Sequence, residues 1–499
     1  MIVATPQEAR AVASGAVNLN DDRANDPREA GARSASNGAS GADPSGHFRN
    51  DIGYADKFVE RFGREIRYCS GDKKWLIFDA EHGWQRDATQ RIHAFAADFA
   101  RELFQRATAD AASTTPEEAI KLITRVAALG DRRRIEPALV FASSDPSIVV
   151  TPDQLDADAY LVGVQNGVVN LRDGSFLPHH PGRLVTRQLA AKYDPAATAP
   201  TWQQFLEVVQ PDPEMRSFLQ RLAGYALTGA IREQVLPFHF GTGANGKGTF
   251  LEHALLKLCG SYGAKLTDSL VYLNVTGSVP HLEIADLRGK RFALGEENAD
   301  GGRLNERLLK SMTGGDRQKG RGHYADFSEY FPTYKIHLVG NHRPRIDGTD
   351  DGIWRRFLLV DWPVQIPPER EDRNLSGKLA KEMSGILNWA IVGALEWHTN
   401  GLNPPQCCKI ATNAYRAQSD KLGDFIGECF SPDETATASK ASTYRVYLDW
   451  CEREGVHPRF RHSKRALGIQ LVNRGWQEGR EGHDRQHCWV GHRLHAIEP

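Results

Sequence analysis

Gly241-Thr242-Gly243-Ala244-Asn245-Gly246-Lys247, followed by Gly248 and Thr249, is the stretch around which the chain is organised. It follows the apolar run Val235-Leu236-Pro237-Phe238-His239-Phe240, which reads as a short buried strand. A helical pattern comes next, with Phe250, Leu251, Ala254, Leu255 and Leu258 on one side. Strand, glycine-rich turn, lysine and helix is the order that a phosphate-binding loop requires. Glycines let backbone N–H groups curl around phosphates, the helix N-terminus adds partial positive charge, and Lys247 adds a full one. Gly241, Gly246 and Lys247 satisfy G-x-x-x-x-G-K, with Gly243 and Asn245 inside the turn. The position after the lysine ordinarily carries Ser or Thr for Mg²⁺. Here it is Gly248, so the hydroxyl role falls to Thr249. A bare glycine-rich turn is the weaker reading, given the strand before it and the helix after it.

The rest of the composition is that of an ordinary soluble protein. Of the 499 residues, 40% are hydrophobic and 25% charged, which predicts about three domains with sizeable cores. The formal net charge is −1, so any nucleic-acid surface must be local. The cysteines (Cys69, Cys259, Cys407, Cys408, Cys429, Cys451, Cys488) form no C-x-x-C pair and no disulfide-like spacing, which fits a reduced, intracellular setting. No apolar stretch is long enough for a membrane span and the N-terminus lacks a signal-peptide core, so a cytoplasmic location is expected.

Residues 1–50 are rich in Ala, Gly, Ser, Asn and Asp, a composition that predicts a disordered tail. A compact α+β module is expected over 51–145. In it Trp75-Leu76-Ile77-Phe78 and Trp84 make a hairpin, and Ile92, Phe95, Phe99 and Leu103 make a core-facing helical stripe. Residues 146–230 read as strands around Tyr160-Leu161-Val162 and Val168-Val169-Asn170-Leu171, then two helices divided by Pro211 and Pro213, a helical collar. Asp156 and Asp158 suggest a metal-binding pair, but no further ligand surrounds them, and a solvated lead-in to the strand is the better reading.

A triphosphatase also needs a carboxylate for its metal, a base for water, a γ-phosphate sensor and usually an arginine. The chain supplies candidates in order. The strand Arg291-Phe292-Ala293-Leu294-Gly295 ends in Glu296-Glu297, a pair suited to holding Mg²⁺ and polarising water. Lys335-Ile336-His337-Leu338-Val339-Gly340 ends in Asn341, an amide that suits the γ-phosphate. Arg355 and Arg356 precede the strand Phe357-Leu358-Leu359-Val360, one arginine suited to a phosphate and one to structure. Between them, Arg317, Lys319, Arg321 and His323 alternate with small residues on a predicted hairpin, which suits contact with a phosphate backbone. Taken singly, a turn-forming Asn, a salt-bridging arginine pair and a solvated basic loop are the competing readings.

In that order these motifs resemble the superfamily 3 helicases, especially the primase-helicases of phages, plasmids and large DNA viruses. The matching stretches are GTGANGKGTF at 241–250, the strand ending in Glu296-Glu297, KSMTGGDRQKGRGHY at 310–324, KIHLVGN ending at Asn341 and DGIWRRF ending at Phe357. With NGVVNLRDG at 166–174 and the collar, the resemblance extends over residues 51 to 495. It implies an α/β fold: an AAA+-type P-loop core (231–400) with a helical collar, an α+β N-terminal module and a C-terminal winged helix. Lys247 and Thr249 would serve the phosphates of ATP and Mg²⁺, Glu296 the metal and Glu297 the water. Asn341 would sense the γ-phosphate. Arg355 or Arg356 would reach a neighbouring subunit's ATP, which implies a ring, a hexamer. Lys319, with Arg321 and His323, would grip one strand of single-stranded or forked DNA in the channel. Gly248 departs from the family's common Ser. Members with primase activity carry an extra N-terminal catalytic domain, for which residues 1–50 leave no room, so a motor without primer synthesis is expected.

The C-terminal region (424–499) carries helical stripes of Tyr444, Val446, Tyr447 and Trp450, then of Leu467, Ile469 and Leu471, with Trp476 and Trp489 on short strands. Between His457 and Trp476 stand Arg459, Arg461, Lys464, Arg465 and Arg474 with no Asp or Glu, the local charge that duplex phosphates require and a means of contacting origin DNA. Helices followed by a β-ribbon suggest the family's winged helix. Cys488, His483, His487 and His492 lack tetrahedral zinc spacing. Two rivals stand beside the helicase reading: an ATP-binding replication initiator that binds origin DNA without processive unwinding, and a P-loop phosphotransferase.

Overall fold

The computed structural model describes residues 50–273, 280–296, 302–321, 327–346, 351–456, 458, 461–481 and 485–495. The tail expected over 1–50 lies almost wholly outside them. The N-terminal module begins with the helix Asp51–Phe62, whose first turn is capped by the Asn50 side chain accepting from the Gly53 N–H at 2.9 Å. Strands β1 (Ile66–Cys69), β2 (Lys74–Asp79), β3 (Gly83–Arg86) and β4 (Val149–Val150) form a sheet in the order β3-β2-β1-β4, with the expected hairpin as β2–β3. The helix Arg91–Asp110 buries Ile92, Phe99 and Leu103 against Phe58 and Phe62, so this aromatic cluster is core.

Strands β5 (Leu161–Val164), β6 (Gly167–Asn170) and β7 (Phe176–Leu177) follow as an antiparallel meander. Asp156 accepts from Thr186 Oγ1 at 2.6 Å and Asp158 forms a two-pronged pair with Arg172 at 3.0 Å, so both carboxylates hold this segment together. The two collar helices are Pro200–Val209 and Pro213–Leu227, the second capped by Asp212 and started by Pro213. A third helix, Met383–Asn400, lies along the second. Glycines permit this approach: a Cβ on Gly393 would stand 1.9 Å from Gln220 O, and one on Gly224 2.0 Å from Ala394 N. The collar is thereby closed by residues that follow the central sheet in sequence.

That sheet is parallel. Its strands are β8 (Leu236–Phe240), β9 (Gly263–Lys265), β10 (Phe292–Glu296), β13 (Lys335–Gly340) and β14 (Phe357–Asp361), in the order β14-β8-β13-β10-β9. Strands β11 (Gln318–Arg321) and β12 (Phe327–Tyr330) form an antiparallel hairpin inserted between β10 and β13. Both sheet faces are covered, which explains why its strands read as continuous apolar runs. Phe292, Leu294, Leu358 and Val360 pack with Trp202 and Phe250 toward the collar. Phe238, Ala293, Ile336, Leu338 and Leu359 pack with Leu309, Met312 and Ile353 on the other side. The start of the sheet holds two buried cations. Arg291 donates to Leu227 O and Leu161 O, each at 2.7 Å, while the Lys335 ammonium bonds Thr228 O and Thr333 O, so both tie the sheet to the end of the collar helix.

At the C-terminus the helix Lys421–Cys429 leads into β15 (Phe430–Ser439), helices Lys440–Arg453 and Lys464–Asn473, and strands β16 (Gln477–Glu481) and β17 (Gln486–Leu494), an antiparallel sheet ordered β15-β17-β16. Phe425, Trp450, Leu467, Leu471, Trp476 and Trp489 form its core. Ile469, expected on the buried stripe, is 51% exposed: the helix turns it away from Leu467 and Leu471. Trp476 stands just before β16 rather than within it. Among the described residues no helix is long and apolar enough to cross a membrane, and none of the seven cysteines is paired.

Candidate nucleotide site and nucleic-acid interface

The glycine-rich loop leaves the C-terminal edge of β8 between β13 and β14, where ligands of open α/β sheets bind. Gly243 and Gly246 take φ of +103° and +82°, and even Ala244 is left-handed at +48°. Gly246 is also pinned by space, since a Cβ would stand 2.7 Å from Val209 Cγ1 and 2.9 Å from Phe205 Cε2. Gly241 is packed against Asn245 and Trp362 O. The loop is held from outside too: Ile366 N–H donates to Ala244 O at 2.7 Å, and the buried Asn245 amide reaches Trp362 O at 3.5 Å. After Gly248 the chain enters the helix Thr249–Leu256, wound with the wide i→i+5 spacing that recurs at functional sites.

Lys247 is only 5% exposed, and its ammonium bonds Gly241 O and, at 3.1 Å, Asn341 Oδ1. The loop lysine and the amide ending the neighbouring strand therefore meet at one point. Thr249 is half-buried in the first helical turn, while Gly248 is exposed and a Cβ there would meet nothing within 4 Å. Glu296 ends β10 with its carboxylate 2.6 Å from Lys265 Nζ; the same ammonium holds Glu252, on the loop helix, at 2.6 Å. The Glu252 carboxyl is held below its usual range, first by its hydrogen bond with Glu296 and then by Lys265. Neither Glu252 nor Lys265 was legible as part of this site, because their meeting depends on β9 lying beside β10. A cation thus sits between Glu296 and Glu252, and among the described residues no cluster of three or more His, Cys, Asp or Glu side chains is gathered to hold a metal. Glu297 lies outside the described residues.

Below the loop, on the collar side of the sheet, two histidines are fully buried. Trp362 Nε1–H donates to His239 Nδ1 at 3.2 Å, which leaves the His239 proton on Nε2, 3.3 Å from His337 Nδ1. Burial, then His337 and Lys247, push the His239 pKa well down; burial and Lys335 lower that of His337 to about 3. The pair is neutral and carries a polar chain under the loop that sequence reading did not single out.

The arginine pair divides. Arg356 is 8% exposed and donates to Gly352 O at 2.6 Å and to Gln234 at 3.4 Å, while Arg355 is exposed. On the hairpin, Lys319 and Arg321 are exposed; His323 lies outside the described residues. In the C-terminal domain Lys464 and Arg465 are exposed at the start of a helix capped by Ser463, whereas Arg461 bonds Val456 O at 3.0 Å and Glu452 at 3.3 Å. Arg461 is thus spent on the fold of its own domain.

Residues 55–211 match the family model described as D5 N terminal like, and residues 417–482 match the Poxvirus D5 protein-like model. The chain is 26% identical over 390 residues to a protein named "Putative helicase" from Acanthamoeba polyphaga mimivirus, covering 73% of this chain and 40% of that one. It is 27% identical over 310 residues to a "Putative helicase" of Frog virus 3, covering 56% and 32%. It is also 25% identical over 325 residues to a "Putative primase" of African swine fever virus, covering 59% and 34%. The chain therefore spans well under half the length of these relatives. The apo structure of the NrS-1 C-terminal region superposes at a TM-score of 0.45 with 10% identity over 85% of each chain. Matched by D5-type models over residues 55–211 and 417–482 and over more than half of its length by these viral sequences, the chain is similar to proteins named putative helicases and putative primases of large DNA viruses.

Proposed function

We propose that the chain is the motor of an ATP-dependent DNA helicase, with an AAA+-type core, a helical collar and a C-terminal winged helix, acting in replication of a mobile element. The observation that carries this reading is the 3.1 Å contact between Lys247 Nζ and Asn341 Oδ1, which aims a cation and an amide at the place a γ-phosphate would take. Lys247 and the loop N–H groups bind the phosphates, Asn341 orients the attacking water, and Glu297 takes its proton. Thr249 and Glu296 would hold Mg²⁺, which supplies neutralisation of phosphate charge. Arg355, exposed while its neighbour is bound into the fold, reaches the nucleotide of an adjoining subunit, so the working unit is a ring, a hexamer. Lys319, Arg321 and His323 face one DNA strand, and Lys464 with Arg465 meets duplex phosphates.

The test is ATP turnover with and without single-stranded DNA, paired with a mass measurement. Turnover stimulated by DNA in a ring of several subunits is expected. Phosphate transfer to a small acceptor would favour the phosphotransferase, nucleotide and origin binding without strand displacement from a fork would favour the initiator, and a monomer in the presence of nucleotide and DNA would overturn the shared site.

A further inference from the structure

The hairpin β11–β12 has one face sealed and one open. Gln318 and Tyr330 are paired in register and buried, and a Cβ on Gly320 would stand 2.7 Å from Ala285 Cα, so this side rests on the helix His281–Asp286. The other face carries Lys319 opposite Glu329 and Arg321 opposite Phe327. Phe327 is 49% exposed, and Phe331, just beyond the strand, is 61% exposed. Each ring stands beside cations: Lys319 Nζ at 5.0 Å and Arg321 Cζ at 5.5 Å from the Phe327 centroid, Arg317 Cζ at 4.9 Å from that of Phe331. The His281 ring packs edge-on against Phe327 with centroids 5.2 Å apart, while His281 Nδ1 lies 3.2 Å from Lys319 O. The orientation of Phe327 is therefore fixed from beneath. Glu329 is the carboxylate of this face, 3.7 Å from Arg317, against three cations among the described residues.

An apolar protein surface laid on this face would desolvate Lys319 without pairing it. A single nucleic-acid strand satisfies both kinds of group, since its bases offer π-faces to the phenyl rings and its phosphates offer charge to the cations. We propose that Phe327, seconded by Phe331, is a stacking platform for unpaired bases of a strand whose phosphates are held by Lys319 and Arg321. This rests on the helicase reading and deepens it: the hairpin grips bases without reading their sequence, as well as backbone.

The test uses the full chain and two fluorescent oligomers of equal length and charge, oligothymidylate and its abasic counterpart. The expected preference for thymidylate is about 5- to 150-fold for one stacked base. Phe327→Leu should collapse that ratio toward one while leaving the salt dependence of binding intact, and Phe327→Tyr should restore it. Lys319→Gln should keep the ratio and reduce the slope of log K against log salt by about 0.7, one phosphate contact on a single strand. Equal wild-type affinity for both oligomers, or a Phe327→Leu variant that weakens both alike, overturns the platform. Binding of neither oligomer overturns the helicase reading beneath it.

Discussion

Lys247 in the glycine-rich loop and Lys319 in the hairpin carry the same charge, yet one is 5% exposed, with a backbone carbonyl and an amide on its ammonium, and the other is exposed beside a phenyl ring. The contrast runs through the molecule. Arg291, Lys335 and Arg356 are buried and bound to carbonyls, and Arg461 is tied to Val456 and Glu452, so they fix geometry. Arg355, Lys464 and Arg465 stand in solvent. Within the pair Arg355–Arg356 and the run Arg461–Arg465, burial decides which cations are left to meet a phosphate; Lys247, buried in the glycine-rich loop itself, is the exception. A cation drawn out of water must be given oxygens by the fold, and once given them it has less to offer a ligand.

The sharpest way to break this distinction is the arginine pair. If the exposed member is the one that acts in trans, Arg355→Ala should lower kcat of the assembled protein by about 10³–10⁵-fold without moving the melting temperature. Arg356→Ala removes bonds to Gly352 O and Gln234 and should lower stability by about 1–3 kcal/mol. Turnover and thermal melts on both variants read the outcome, and the reverse pattern would exchange the two assignments. Lys247→Ala comes next: loss of a preorganised phosphate ligand should cost on the order of 10²–10³ in kcat. Retained turnover would remove the loop from the chemistry.

What the sequence made legible is what local pattern encodes. Leu236–Phe240, Phe292–Glu296, Lys335–Gly340 and Phe357–Asp361 announce themselves because a parallel strand covered on both faces must be apolar throughout. The loop announces itself because its glycines stand at fixed offsets from a lysine, and Gly243 and Gly246 take the positive φ that such a turn requires. Contacts between remote segments were not legible. The pairing of Met383–Asn400 with Pro213–Leu227 depends on Gly224 and Gly393 meeting across the collar, and nothing in either stretch names the other. Strand β15 hides in a polar run, Ser431-Pro432-Asp433-Glu434-Thr435, because one of its faces is solvated. Glu252, Lys265 and the two histidines share this cause: sheet order, not spacing, brings them together.

The histidine pair yields a smaller, pH-linked effect. His337 has a folded-state pKa of about 3 against an ordinary 6.5, so the unfolded chain binds the proton more readily. Its neutral form contributes stability that is fully present above about pH 6.5 and is lost as pH falls toward 3. At about 1.4 kcal/mol per pKa unit, the loss reaches roughly 2 kcal/mol at pH 5. Urea unfolding of the wild type and of His337→Leu at pH 7.5 and 5.0 isolates it: the wild type should lose about 2 kcal/mol more than the variant. Equal losses would mean that the buried ring is not the group that titrates.

The smallest effect concerns Gly248, which stands where loops of the G-x-x-x-x-G-K pattern ordinarily carry Ser or Thr. Its backbone is helical, with φ of −62° and ψ of −38°, and a Cβ there meets nothing within 4 Å, so serine fits without strain. Gly248→Ser should leave stability unchanged or raise it by a few tenths of a kcal/mol, serine being the better helix former. It should change turnover by less than about 3-fold if Thr249 already supplies the hydroxyl. The informative variant is therefore the double one. Thr249→Ala alone should raise the Mg²⁺ concentration needed for turnover, and adding Gly248→Ser reads which side of the helix the metal occupies, since successive helical side chains point about 100° apart: rescue would put the metal on the Gly248 side. If Thr249→Ala changes nothing, the hydroxyl is not a ligand, and the carboxylates at Glu296 and Glu252, now bridged by Lys265, hold the metal without it.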